Sequence, residues 1–506
     1  MTLNRQAKNS LGQRTVSGSL WLFSSRATSL LVTLIQVTIL ARLIDPEAFG
    51  LMGLALLASQ AIGVFIYTGY EFALVQKVEL HQVDIHTAWW VMLGRRVIIG
   101  LCLMLLAFPI AHFYQAPDAV PILIAFAFVQ PIQGLASMSP ILFRREMQFR
   151  KVFELNFFSA LTGLVVGVIA AVTLRSVWAL VLASFATTVI HVILSYWLHP
   201  YRPRWCFSLT IFRQLSNYGL WMLGSAILWF IFSQGSSAFS GWMFGVAALG
   251  LFQMAGRFAL LPSTQLGEVI QSALMPAYAL IQDDRKRVSR TFLKTLSLAA
   301  MLIMGMTALI AFGLPRLLIT LLGDQWVQAA ALVPALAIAG GGRAMLRLGS
   351  PLYLGTGRPQ FQFFMDLAQT VTMVILLYPL GKLFGLSGLP FATLGGVLIA
   401  LPIWWMGVHK STTCTLIDVS SVLGPAIIGM VVITIVFFIG QLPAISRMDS
   451  VLGLIWNITL ILIASVGFMA TIIICQRLVP HYSPLVELQN IFNQMRQRSH
   501  LLKMSS

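Results

Sequence analysis

Charge is scarce in this chain of 506 residues: 10% of positions are Asp, Glu, Lys or Arg, and 16 of them are acidic. Soluble domains carry about a quarter charged residues, and no connection between apolar stretches here is long enough to fold alone. A soluble catalytic or binding domain is thereby excluded. Cys102, Cys206, Cys414 and Cys475 stand far apart with no paired spacing, so neither a disulfide framework nor a cysteine metal site is expected. The eight histidines are isolated, and no Ser-His-Asp, paired-carboxylate or metal-ligand pattern occurs. No catalytic apparatus, metal or cofactor is therefore expected. The run Gly340-Gly341-Gly342-Arg343 lacks the remaining spacing of a phosphate loop and ends an apolar segment. It reads as a hinge or close-packing site, as do the pairs Gly163/Gly167 and Gly241/Gly245.

Apolar length is what the chain has instead. Hydrophobic residues make up 58% of it, and the mean hydropathy is +0.85. A membrane span needs about 20 predominantly apolar residues. Fourteen such segments can be placed: 17–41, 50–70, 87–112, 119–141, 153–174, 176–198, 215–237, 245–266, 291–314, 327–346, 361–381, 385–408, 421–440 and 452–476. The first is too long for a signal peptide and lacks a small-residue cleavage site. With the N-terminus taken as cytoplasmic, the connections and adjoining segment ends on the inner side hold 24 Lys and Arg and the connections on the outer side 5. That asymmetry is the positive-inside pattern and puts both termini in the cytoplasm. It also explains the net charge of +17 as topology, so no nucleic-acid partner is expected.

A shift of 200 residues aligns Leu20-Trp21 with Leu220-Trp221 and Ser25 with Ser225. It also aligns Ala48, Gly50, Leu51 and Ala55 with Ala248, Gly250, Leu251 and Ala255, and Ala73-Leu74 with Ala273-Leu274. Six spans separate the copies, so they share an orientation, as in transporters built of two parallel bundles. The expected fold is all-α: a six-helix bundle over 1–206, a second over 207–412, a further helix pair over 413–480 and a tail over 481–506. The joint at 206–215 (Phe207, Ile211, Phe212, Leu215) and the tail after Pro484 (Leu485, Leu488, Ile491, Phe492, Met495) read as amphipathic helices lying in the cytoplasmic interface.

Ionisable side chains inside spans are costly and mark function. Arg26 lies well inside the first span and begins a polar stripe with Ser29, Thr33 and Gln36 at helical spacing. Arg257 lies near the middle of the eighth span, one turn from Gln253 and close to Pro262. Arg95 and Arg96 sit in the inner third of the third span, where snorkelling to headgroups competes with a cavity role. Arginine stays charged and offers a planar donor fork that fits phosphate oxygens. A cavity lined by these four suits a large anionic substrate. Asp366, about one turn inside the eleventh span, reads either as a cation or proton coupling site or as a surface-level partner of Arg358.

At Ala41-Arg42-Leu43-Ile44-Asp45-Pro46-Glu47-Ala48-Phe49-Gly50-Leu51 the chain resembles the first outer loop of bacterial polysaccharide exporters of the Wzx/colanic-acid exporter type. These belong to the multidrug/oligosaccharidyl-lipid/polysaccharide exporter superfamily. The resemblance continues at Ala73-Leu74-Val75-Gln76, Phe143-Arg144-Arg145-Glu146-Met147-Gln148-Phe149, Leu274-Met275-Pro276-Ala277, Ile281-Gln282-Asp283-Asp284 and Leu322-Gly323-Asp324-Gln325-Trp326. Where relatives often carry an arginine late in the seventh span, this chain reads Phe239-Ser240-Gly241-Trp242. The resemblance implies two six-helix bundles, two further helices and a central cavity. It implies flipping of an undecaprenyl-diphosphate-linked oligosaccharide across the bacterial inner membrane for O-antigen, capsule or exopolysaccharide, with polysaccharide polymerase machinery as a partner. Arg26 and Arg257, aided by Arg95 and Arg96, would then grip the diphosphate. Ser29, Thr33, Gln36 and Gln253 would line the cavity. The alternatives are a multidrug exporter of the same superfamily, whose cationic substrates favour intramembrane carboxylates, and a membrane glycan polymerase or ligase. Such an enzyme would need a sizeable outer loop with acid/base residues, which the connections at 314–327 and 441–451 do not supply.

Overall fold

The computed structural model describes residues 28–66, 81–146, 148–261, 274–275, 277–440 and 450–478. Arg26, Pro262 and the amphipathic tail after Pro484 lie outside them. All regular structure among the described residues is helical. The chain packs as two units, residues 1–251 and 252–506. The first holds α1 (Thr28–Leu43), α2 (Pro46–Phe65), α3 (Gln82–Phe113), α4 (Ala119–Gly134), α5 (Ser139–Arg145), α6 (Phe149–Leu174), α7 (Trp178–Trp197) and α8 (Leu209–Phe244). The division falls within α9 (Val246–Ala259). The second unit continues with α10 (Arg285–Leu322), α11 (Val327–Arg347), α12 (Gly349–Gly355), α13 (Pro359–Phe384), α14 (Gly388–Ser411), α15 (Leu416–Gly440) and α16 (Ser450–Leu478).

Each apolar segment read from the sequence carries a helix over its described residues. Nine stretches among the described residues are long and apolar enough to cross a membrane, and the protein is a multi-pass membrane protein. Its helices are apolar on the outside as well as inside: Leu105 of α3 is 77% exposed and Phe438 of α15 is 75% exposed. Such surfaces are stable against lipid and not against water. Prolines 109, 131, 315, 334, 379, 402 and 425 sit inside helices, as membrane helices tolerate.

Two expectations about segment ends need correction. The joint at 206–215 is not a separate interfacial helix: Ser208 caps α8, its side chain accepting from the Ile211 amide, and the helix then runs unbroken to Phe244. No proline interrupts it. The segment 119–141 is not one helix either, since α4 ends at Gly134 and α5 restarts at Ser139. Pro140 suits the first turn of a new helix, where its missing N–H leaves no bond unmade.

Two local features fix where α2 and α9 begin. The Asp45 carboxylate accepts from the Ala48 amide at 3.0 Å and Pro46 opens the helix, a standard start. Gly245, at φ +88°, turns the chain from α8 into α9, a conformation that disfavours any residue with a Cβ. The helices α2 and α9 thus begin 200 residues apart, at Pro46 and Val246. They cross with backbones in contact. A Cβ on Gly50 would lie 1.9 Å from the Val246 carbonyl oxygen, and one on Gly250 would lie 2.1 Å from the Pro46 carbonyl oxygen.

Glycine is used for the same purpose elsewhere. Gly163 and Gly167 of α6 face Thr187 and Ala183 of α7, with 2.0 Å and 3.0 Å left for a Cβ. In the second unit α10, α15 and α16 pack around Phe437 and Phe468, which lie over Gly313, Gly305 and Gly429. Gly341, within the run once suggestive of a phosphate loop, lies against Thr307 of α10. Tyr353 of α12 is fully buried and donates to the Trp404 carbonyl of α14 at 2.7 Å.

Candidate substrate-binding site

Consecutive residues of a helix point about 100° apart, so Arg95 and Arg96 of α3 reach different neighbours. Arg95 donates through Nη2 to the Gly63 carbonyl of α2 at 3.3 Å. Arg96 donates through Nη1 to Gln130 Oε1 of α4 at 2.9 Å, and Gln130 is buried. Gly134 makes room for the Arg96 stem, since a Cβ there would lie 2.9 Å from the Arg96 Cβ. Both arginines are half-buried and bonded within the first unit.

The stripe on α1 divides its tasks. Thr33 is exposed and its hydroxyl donates to the Ser29 carbonyl at 2.8 Å. Gln36 donates to the Gly163 carbonyl of α6 at 3.3 Å and so ties two helices together. A polar pair that attention to charge alone overlooks lies in the same unit: Gln234 of α8 donates to Gln60 Oε1 of α2 at 3.1 Å. The signal was present, because an amide inside an apolar segment is also costly to bury.

In the second unit Arg257 occupies the last turn of α9, and Gln253 lies one turn earlier on the same helix. The Arg257 side chain is accessible although protein crowds most of its surroundings, and no carboxylate among the described residues pairs with it. Asp366 of α13 accepts from Gln362 at 2.6 Å and lies within electrostatic reach of Arg347 and Arg343 of α11. The pairing with Arg358 does not form: Arg358 lies two turns away, just before the start of α13, and donates to the Lys410 carbonyl, which Arg285 also engages. Arg343 and Arg347 both lie within α11, Arg347 as its last residue.

The Asp366 group makes a prediction that separates two roles. Asp366→Asn leaves two cations without their carboxylate inside the bilayer, so membrane abundance is expected to fall several-fold, as a loss of about 1–2 kcal/mol produces. Quantitative immunoblotting of membranes checks it. Normal abundance with lost dependence on an ion gradient would instead make Asp366 a coupling residue.

Outside the spans, burial pushes the Cys414 thiol up and keeps it neutral in the α14–α15 connection. Burial likewise holds His199 below the ordinary imidazole range, and Glu146 opposes that shift. Neither loop group belongs to the arginine sites. A cavity of about 300 Å³ within the second unit is lined by Met304, Ile338, Met345, Leu398, Leu401 and neighbouring residues of α10, α11, α14 and α15. Its hydrocarbon lining suits an apolar chain and offers no charge to a phosphate.

The polysaccharide biosynthesis protein family matches residues 39–331, more than half of the chain. The chain belongs to this family. It is 26% identical over 393 residues to the succinoglycan biosynthesis transport protein ExoT of Rhizobium meliloti (strain 1021), covering 78% of this chain and 77% of that one. It is 24% identical over 406 residues to the lipopolysaccharide biosynthesis protein WzxC of Escherichia coli (strain K12), covering 78% and 80%. Among solved structures, the lipid II flippase MurJ in an inward closed conformation superposes with a TM-score of 0.70 at 13% identity, covering 91% of this chain and 99% of that one. An inward-facing multidrug resistance MATE family transporter of the MOP superfamily superposes with a TM-score of 0.56 at 15% identity, covering 76% of this chain and 94% of that one. Both structural likenesses establish the fold.

Proposed function

We propose that the protein moves an undecaprenyl-diphosphate-linked oligosaccharide from the inner to the outer leaflet of the bacterial inner membrane, supplying surface polysaccharide synthesis. The observation that carries this reading is Arg257: an accessible guanidinium at membrane depth, with no carboxylate partner among the described residues. A cation so placed needs an anionic ligand, and a diphosphate meets its donor fork bidentately. Arg26, Arg95 and Arg96 add cationic contacts along the path. Ser29, Thr33 and Gln253 are its polar lining, while Gln36 ties α1 to α6 beside it, and the apolar tail stays among hydrocarbon. Alternating access of two six-helix bundles, 1–206 and 207–412, carries the headgroup across. A helix pair over 413–480 and a cytoplasmic tail over 481–506 complete a chain of fourteen spans with both termini inside. Polysaccharide polymerase machinery receives the product, and no cofactor takes part.

Two relatives named for succinoglycan transport and lipopolysaccharide biosynthesis, each matched over more than three quarters of both chains, support the substrate class. In a strain lacking this protein, lipid-linked oligosaccharide is expected to accumulate on the inner leaflet with surface polysaccharide lost. A leaflet-resolved glycan assay measures this. Normal flipping with unpolymerised glycan outside would point to an enzyme, and an unchanged glycan profile to export of small molecules.

A further inference from the structure

The Gln60–Gln234 pair carries chemistry that charge does not. Gln60 lies 14 residues into α2, about 21 Å along it, and Gln234 lies ten residues before the end of α8, about 15 Å along it at 1.5 Å per residue. Both amides thus lie inside the hydrocarbon, which is about 30 Å thick. Gln60 is exposed although the helix before it is buried almost continuously from Ala48 to Ser59. An exposed amide at that depth cannot face lipid without large cost, so it faces a polar space. The two side chains are joined by one hydrogen bond, Gln234 Nε2 to Gln60 Oε1 at 3.1 Å. That bond leaves the Gln60 NH2 group as a donor and the Gln234 Oε1 as an acceptor. One helical turn further along α2, the Gly63 carbonyl holds the Arg95 guanidinium. A rigid donor and acceptor side by side match a hydroxyl, which both gives and takes a hydrogen bond. A run of hydroxyls next to an anion is the headgroup of a sugar diphosphate.

We propose that Gln60 and Gln234 form a sugar-reading subsite that binds hydroxyls of the sugar nearest the diphosphate, with Arg95 beside it on the phosphate. This rests on the flippase reading and adds selectivity for the proximal sugar. The hydrogen bond between the two amides sets their orientation, and the remaining donor and acceptor meet the sugar when the site is filled. Its position in the first unit makes sugar recognition a property of residues 60–234, independent of Arg257.

The test uses the purified full-length protein in proteoliposomes with two probes: the lipid-linked oligosaccharide extracted from the producing strain, and undecaprenyl diphosphate without sugar. Leucine is well tolerated in membrane helices, so Gln60→Leu, Gln234→Leu and the double variant are suitable. The double variant is expected to flip the oligosaccharide-bearing lipid about 10-fold more slowly than wild type, the effect of two lost neutral hydrogen bonds. Its rate on the sugar-free lipid should match wild type. Equal rates for the double variant and wild type on both probes would overturn the subsite and leave the flippase reading intact. A matching fall on both probes would mark the pair as structural and overturn it too. A wild-type protein that flips neither probe would overturn the flippase reading and, with it, the subsite.

Discussion

Arg257→Ala is expected to lower surface polysaccharide about 10- to 100-fold while the protein reaches the membrane in normal amount. The magnitude follows from the interaction removed: hydrogen bonds to a charged group contribute about 1.5–3 kcal/mol, and each 1.4 kcal/mol is tenfold. Normal abundance follows from the surroundings. Arg257 is accessible and has no carboxylate partner among the described residues, so its removal strands no buried opposite charge. Losing an unpaired cation from a helix among apolar spans does not disfavour folding. Arg257→Lys keeps the charge but not the planar fork, and its export should fall between the two. Glycan quantitation beside an immunoblot of the membrane fraction makes the comparison. Wild-type export from Arg257→Ala would remove the central support for a diphosphate grip.

The helical architecture was legible because hydropathy reports lipid exposure directly, and a run such as 421–440 has no other stable use. Boundaries were less legible where a helix start depends on capping rather than on apolar length. Ser208 and Pro140 moved two of them. The candidate site divides along a similar line. Arg257 and the Arg95–Arg96 pair were visible because each interrupts an apolar segment, although the sequence could not tell that Gly63 and Gln130 would take up the latter two. Gln36 looked like lining, and geometry gives it a backbone carbonyl on α6. Arg347 was hidden by a boundary: the apolar segment reads as ending at 346, just after the glycine run and Arg343, yet α11 continues through Arg347. The pairing of Gln60 with Gln234, 174 residues away, was not legible, since hydropathy shows each as one amide in an apolar stretch and says nothing of its partner.

The glycines of the 200-residue repeat give the other large effect. Gly50→Ala and Gly250→Ala are each expected to reduce membrane abundance several-fold, and by similar amounts. Alanine is the best helix former and would ordinarily improve either helix by about 1 kcal/mol. Here its methyl carbon would fall 1.9 Å from the Val246 carbonyl oxygen or 2.1 Å from the Pro46 carbonyl oxygen. Both obstacles are backbone, so no side-chain rotation relieves the contact and α2 and α9 must separate. Overpacking of this kind costs about 1–3 kcal/mol, which changes abundance several-fold. Similar amounts are expected because the contact is reciprocal: Gly50 meets Val246 while Gly250 meets Pro46, each residue facing the partner of its counterpart. Reciprocity also predicts non-additivity. Once one methyl has parted the helices, the second finds the space already open, so the double variant should resemble either single one. Gly424→Ala, where a Cβ would meet nothing within 4 Å, is the matched control and should leave abundance unchanged or raised. Quantitative immunoblotting of the four variants decides the matter. Additive losses would mean that the two glycines act separately, and a loss at Gly50 alone would mean that the crossing is not shared evenly between α2 and α9.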